Sequence, residues 1–163
     1  MKKLIAIIAG EPNSISSEII FKSWIRRKKY KHRPFIIIGS AELLNSQKKK
    51  LNYKIKIKII NNEFENCDFS KNFLYVYNIN FKQKKPFQKV SSKSNYYILK
   101  CFEVALSLIK NKKVIGIINC PIDKTYLFSK KYQGITEFLA NKSKSKGKEV
   151  MLIYNRDLSV VPL

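Results

Sequence analysis

Two short hydrophobic runs, each ending in a polar turn, constrain the fold of this chain more than any other feature. The first is Leu4-Ile5-Ala6-Ile7-Ile8-Ala9, followed by Gly10-Glu11-Pro12-Asn13-Ser14-Ile15-Ser16-Ser17-Glu18. The second is Val114-Ile115-Gly116-Ile117-Ile118-Asn119, followed by Cys120-Pro121-Ile122-Asp123-Lys124 and then Gly134-Ile135-Thr136-Glu137-Phe138-Leu139-Ala140. Runs of this length and apolarity suit buried strands. Polar residues just past the carboxyl ends of such strands are where open α/β sheets build a ligand crevice. A small-molecule site is the first expectation.

Strands and helices alternate along the chain, without internal repeats or a Pro/Gly-rich linker. Strands are expected at 4–9, 35–38, 53–60, 73–77, 114–119, 150–154 and 158–161. Helices are expected at 17–29, 40–49, 95–110 and 136–144. Ile98, Cys101/Phe102, Ala105 and Leu108/Ile109 recur at helical steps and make 95–110 the clearest helix. Lysine alternates with isoleucine from Lys54 to Ile59, the period-two pattern of a strand with one wet face. Lysines there discourage edge-to-edge pairing, so an edge position fits. The 114–119 run is apolar throughout, as in a mid-sheet parallel strand. Ser16 or Ser17 should cap the first helix, Ser40 the second and Thr136 the last. The polar 81–94 stretch with Pro86 reads as a loop, as does 61–71, and Asn155-Arg156-Asp157 reads as a hairpin turn. This order predicts an α/β fold: a three-layer α/β/α sandwich with a mostly parallel sheet, as one unit over residues 1–163.

The charge is large: 33 Lys+Arg against 11 Asp+Glu, formally +22. A basic surface attracts nucleic acid, yet only a few of these residues are arginine, which forks best onto phosphate and guanine. The lysines are dispersed and accompany abundant Ile, Asn, Tyr and Phe, as an A/T-rich coding sequence produces. The charge therefore says little about function. No apolar stretch approaches the roughly 20 residues a membrane span requires. Met-Lys-Lys before an apolar run superficially suggests a signal peptide, but Gly10-Glu11-Pro12 cuts the run short and a first strand fits better. Cys67, Cys101 and Cys120 are odd in number and widely spaced, which gives no reason to invoke a disulfide framework or a metal pair. The cytoplasm is the expected compartment.

Glu11, just past the first strand, reads either as a ligand contact or as a partner for a helix dipole. Asp123-Lys124 after Pro121 could hold a phosphate or carboxylate, or stand solvated. The first motif lacks the glycines of a Walker or dinucleotide loop. His32, the lone histidine, cannot assemble a His-rich metal site.

Taken together these segments resemble the 4-hydroxythreonine-4-phosphate dehydrogenase family. That family opens with strand-Gly-(Asp/Glu)-Pro-Ala-Gly-Ile-Gly-Pro-Glu, and Gly10, Glu11, Pro12, Ile15 and Glu18 hold those places. Lys89-Val90-Ser91 matches its Gly-Lys-Val-Ser before the long helix. Pro121-Ile122-Asp123-Lys124 matches Pro-Ile-Asn-Lys, and 134–140 matches Gly-His-Thr-Glu-(Phe/Met)-Leu-Ala. The resemblance implies a fold similar to isocitrate and isopropylmalate dehydrogenases. It also implies NAD and a divalent metal (Zn, Mg or Co) as cofactors, a phosphorylated small-molecule substrate and a homodimer. Thr136 is the implied substrate contact, and Glu11, Asp123, Lys124 and Glu137 are further candidates. Ile135 replaces the family's substrate-contacting histidine and cannot make its hydrogen bond. Ser14, Ser16 and Ser17 stand at three glycine or proline positions of the first motif.

The resemblance spans what would be the amino-terminal half of a longer two-domain dehydrogenase. Its metal-ligand histidines lie past Leu163, so no metal site is expected in this chain and no turnover from it alone. Two other readings stand beside this one: a diverged, non-catalytic binding or scaffold protein of the same fold, and a basic nucleic-acid-binding module.

Overall fold

The computed structural model describes residues 4–29, 33–61, 67–128 and 131–162, and His32 lies outside them. The chain divides into two compact units, Met1–Asp123 and Lys124–Leu163.

In the first unit, β1 (Ile5–Ile8), β2 (Phe35–Gly39), β3 (Lys56–Ile60), β4 (Phe73–Asn78) and β5 (Gly116–Asn119) form one sheet. Their order is β3-β4-β2-β1-β5, and every pairing is parallel. Ile7 stands beside Ile37 of β2 on one side and Ile118 of β5 on the other. The connecting helices are α1 (Ser16–Arg26), α2 (Ala41–Lys50) and α3 (Asn95–Lys110), the last preceded by a single 3-10 turn at Ser92–Ser94.

The layers follow from handedness. The β1–α1–β2 and β2–α2–β3 crossovers step one way across the sheet, whereas β4–α3–β5 steps back. Right-handed connections therefore put α1 and α2 on one face and α3 on the other. Against the first face, Ile20, Phe21 and Trp24 of α1 cluster with Ile7, Ile37, Leu74, Val76 and Cys120. On the second, α3 packs on β1, β2 and β5 and buries Tyr97, Ile98, Cys101, Phe102, Ala105 and Leu108. Each fully buried Ile or Phe contributes roughly 1.5–3 kcal/mol, so this two-sided core fixes the sheet. The three-layer, mostly parallel α/β architecture is as the sequence predicts.

Some local expectations are corrected. The β5 strand lies at the edge of the sheet, not inside it, and Ile118 is 52% exposed. The β3 strand does occupy the opposite edge, but it begins at Lys56, and Tyr53 packs its ring 5.4 Å from Phe21. Neither Ser16 nor Ser17 caps α1: Ile15 holds that position without a side-chain bond. The Ser14 hydroxyl accepts from the Ser16 amide instead, while Ser17 Oγ is buried without a hydrogen-bond partner among the described residues. Ser40 caps α2 as expected, its Oγ accepting from Leu43 N.

The second unit holds α4 (Lys124–Phe128), α5 (Ile135–Lys142) and an antiparallel pair, β6 (Ile153–Tyr154) with β7 (Ser159–Val160). The short α4 was not foreseen. Gly134, not Thr136, is the α5 cap residue, in extended backbone. Phe138 of α5 packs against Phe128 of α4 and against Tyr132, with ring centroids 5.3 and 5.5 Å away. Among the described residues no helix is long and apolar enough to cross a membrane.

Candidate functional site

Strand order reverses between β1 and β5, since β1 connects outward through β2 while β5 arrives from the far side. In open α/β sheets that switch point, beyond the carboxyl ends, is where ligands bind. The turn after β1 and the Cys120-Pro121 turn after β5 both reach it. The amide of Ala9 donates to Ile38 O at 3.0 Å and that of Cys120 to Ile8 O at 3.0 Å, carrying the ladders to the strand ends. Gly10 then turns with φ +71, and a Cβ on it would stand 2.5 Å from Pro121 O. Only glycine fits that approach. The Glu11 amide donates to Pro121 O at 2.9 Å, and Ser16 Oγ donates to the same carbonyl at 3.3 Å.

Glu11 is 2% exposed. Its Oε1 accepts from Asn13 N at 3.1 Å and its Oε2 from Ser94 Oγ at 2.8 Å. Ser94 is the cap residue of α3, so the carboxylate sits by the positive end of that helix, where negative charge is favoured. The dipole partner is α3 rather than the adjacent α1. Gln47 Nε2 donates to Pro12 O at 2.7 Å. Asn13 Oδ1 accepts from Gln88 N at 2.8 Å and Gln83 Nε2 at 3.1 Å, which ties the 81–88 loop to the first motif. Sequence reasoning missed Ser94, Gln47 and Asn13. Their only signal is polarity, because their partners are remote along the chain.

The space lined by Glu11, Ser17, Gln47 and Tyr97 is about 10 Å³, the size of one water. With the Glu11 amide on Pro121 and the Ser16 amide on Ser14, this turn does not fit a dinucleotide pyrophosphate. Among the described residues no group of three or more His, Cys, Asp or Glu side chains could hold a metal ion. The donor set present does not fit a divalent-metal centre. Cys120, just past β5, is buried, and that burial pushes its thiol up to about 11, so it stays protonated at neutral pH and is a poor nucleophile.

Asp123, half-buried, closes the first unit. In the second unit, Lys124 opens α4 and its Nζ lies 3.9 Å from the Cβ position of Gly134. That brings Lys124 beside the turn into α5. Glu137 Oε2 accepts from Gln133 N at 2.8 Å, holding the turn closed. Thr136 is exposed and Ile135 half-buried. The second unit thus gathers Lys124, Ile135, Thr136 and Glu137, whereas Glu11 and Asp123 belong to the first.

Comparison with known proteins bears on both units. The profile of the family described as "Pyridoxal phosphate biosynthetic protein PdxA" matches residues 31–163. The chain is 27% identical to the 4-hydroxythreonine-4-phosphate dehydrogenase of Zymomonas mobilis subsp. mobilis, over 99% of its own length and 48% of that enzyme's. It is 29% identical to the Caulobacter vibrioides enzyme of the same name, over 83% of this chain and 40% of that one. The crystal structure of a 4-hydroxythreonine-4-phosphate dehydrogenase from Burkholderia phymatum superposes with a TM-score of 0.86 at 21% identity, covering 99% of this chain and 49% of that one. The chain spans about half the length of the curated relatives it matches. On the family match across most of its residues, the chain belongs to the pyridoxal phosphate biosynthetic protein PdxA family.

Proposed function

We propose that this chain supplies one half of the ligand apparatus of an NAD-dependent, metal-dependent enzyme. That enzyme would oxidise 4-phosphohydroxy-L-threonine at its free hydroxyl, with loss of carbon dioxide, in vitamin B6 biosynthesis. The carrying observation is the family match over 31–163. The Gly10–Pro121 junction supports it, since it puts two of the motifs at a ligand-type strand end. In this reading Lys124 offers a point charge to a phosphate or carboxylate, and the exposed Thr136 offers a hydroxyl to the substrate. Glu137 keeps their turn in shape, and Ile135 contributes only apolar surface. Glu11 shapes the junction rather than touching ligand. NAD, the metal and their chemistry would depend on residues beyond those present here, and the chain alone is without turnover. Homodimer formation belongs to the same proposal.

The test is complementation. Mixing this chain with the separately expressed carboxyl-terminal half of the Zymomonas mobilis enzyme should yield NADH from NAD and 4-phosphohydroxy-L-threonine. Lys124→Ala and Thr136→Ala should each weaken that activity. A well-folded mixture that forms a complex but no NADH would count against the proposal. It would favour a second reading, a non-catalytic binding or scaffold protein of the same fold. Ile135, which stands where the family resemblance expects a histidine, is the observation on that side.

A further inference from the structure

We infer that the first unit carries a second ligand site, for a planar aromatic monophosphate of mononucleotide size, at the end of the sheet opposite the Gly10–Pro121 junction. The site is a groove of about 380 Å³ between the end of α1 and the amino ends of β2 and β4. That volume lies low in the roughly 300–1,000 Å³ range of small-molecule sites. Trp24, Arg27, Lys28, Arg33, Phe69 and Phe73 are among its lining residues, and among the described residues no acidic side chain lines it.

The choice of cation is informative. Lysine fills nearly every basic position of this chain, and only four residues are arginine: Arg26, Arg27, Arg33 and Arg156. Two of these four line one groove. Arginine's planar fork and stacking face are what lysine cannot replace. Arg27 is already set in place. Its guanidinium carbon lies 3.6 Å from the centroid of the Trp24 ring, while Nη1 donates to Trp24 O at 2.7 Å and Nη2 to Asn72 Oδ1 at 2.8 Å. The bond to Trp24 O also covers the helix end that would otherwise repel an anion. No carboxylate pairs with Arg27 or Arg33 among the described residues. Arg27 is partly desolvated, which an incoming phosphate would offset. Aromatic walls with fixed and flexible cations are how proteins hold a base and its phosphate together. The aromatic ring of the ligand would stack against Phe69, Phe73 and the guanidinium, and its phosphate would meet Arg33 and Lys28.

Trp24 is the only tryptophan, so its fluorescence reports on this groove. Adenosine 5′-monophosphate titrated into the full chain should change that fluorescence saturably at or below low-millimolar concentration. Inorganic phosphate and adenosine should each bind at least about tenfold more weakly. Arg27→Lys, which keeps the charge and loses the fork, and Arg33→Ala, at an exposed position, should each weaken the nucleotide about tenfold. Circular dichroism would check that both variants stay folded. The inference is overturned by an absent saturable response, or by equal binding of inorganic phosphate. A response that both variants leave intact also overturns it, because the nucleotide then sits elsewhere, a dehydrogenase cofactor site included. So does tighter binding of an oligonucleotide, with the salt slope of several phosphates. The site does not depend on the dehydrogenase reading, and complementation can fail without touching it.

Discussion

The backbone amide of Glu11 donates to the carbonyl of Pro121 over 2.9 Å, and this bond joins the turn after β1 to the turn after β5. The Glu11 side chain points the other way, into the interior, where Ser94 Oγ and the Asn13 amide hold it. One residue thereby fixes three segments: both turns at the switch point and the start of α3.

Replacing Gly10 should be costly. Alanine at φ +71 is strained, and its Cβ would meet Pro121 O and Cys120 O, both backbone atoms. Gly10→Ala should lose about 1–3 kcal/mol in urea unfolding. Gly116→Ala is the control: nothing lies within 4 Å of its Cβ position, so stability should hold or rise by about 0.4–1 kcal/mol.

Glu11→Ala should cost about 2–3 kcal/mol, because it removes charge-assisted bonds from a buried site. Glu11→Gln keeps the shape and one acceptor oxygen but puts an NH2 donor in place of the other. Only one of the two bonds from Ser94 and the Asn13 amide can then persist unchanged, so it should recover only part of the loss. Equal stability of the wild type and both variants would remove the carboxylate from its structural role.

How much of this was legible in the sequence differs from one residue to the next. The alternation of Lys and Ile marked β3 as an edge, because period two with one charged face has few other uses. The equally apolar 114–119 run suggested a strand buried on both sides, yet in this chain β5 is an edge with Ile118 exposed. Apolarity reports what a strand is suited to, not what covers it. In the sequence Glu11 reads either as a ligand contact or as a helix-dipole partner, and its actual partner Ser94 is distant along the chain, so only folding brings them together. The caps misled for a related reason. A serine before a helix looks like a cap, whereas Ser16 Oγ reaches across to Pro121 O. The four-motif resemblance carried the family because order and spacing survive where single residues, such as Ile135, do not.

The three thiols should separate by reactivity and by pH. Burial pushes Cys101 up to about 12 and Cys120 up to about 11, from an ordinary value near 9.0. At pH 8 a disulfide reagent should label Cys67 first, since it is the least buried, with Cys101 and Cys120 reacting only on unfolding. Because these folded-state values are raised, the associated stability is complete below the unfolded value. It is then lost as pH climbs from about 9 toward 11 and 12. Denaturation midpoints should be flat with respect to these two thiols below pH 9 and fall above it, less steeply in Cys120→Ala.

Phe138 anchors α5 to Phe128 and Tyr132. Phe138→Ala should cost the packing of the second unit about 3–5 kcal/mol. By hydrogen exchange, protection should drop over 135–142 while peptides from β1, β2 and β4 keep theirs. Loss spread equally over both units would contradict the division of the chain at Asp123.

The most direct measurement is a steady-state NADH assay on this chain alone, with 4-phosphohydroxy-L-threonine, NAD and added zinc or magnesium. Because the described residues hold no cluster able to bind a metal ion, the rate should equal that of a protein-free blank. Sustained, metal-dependent NADH production by the isolated chain would contradict the account.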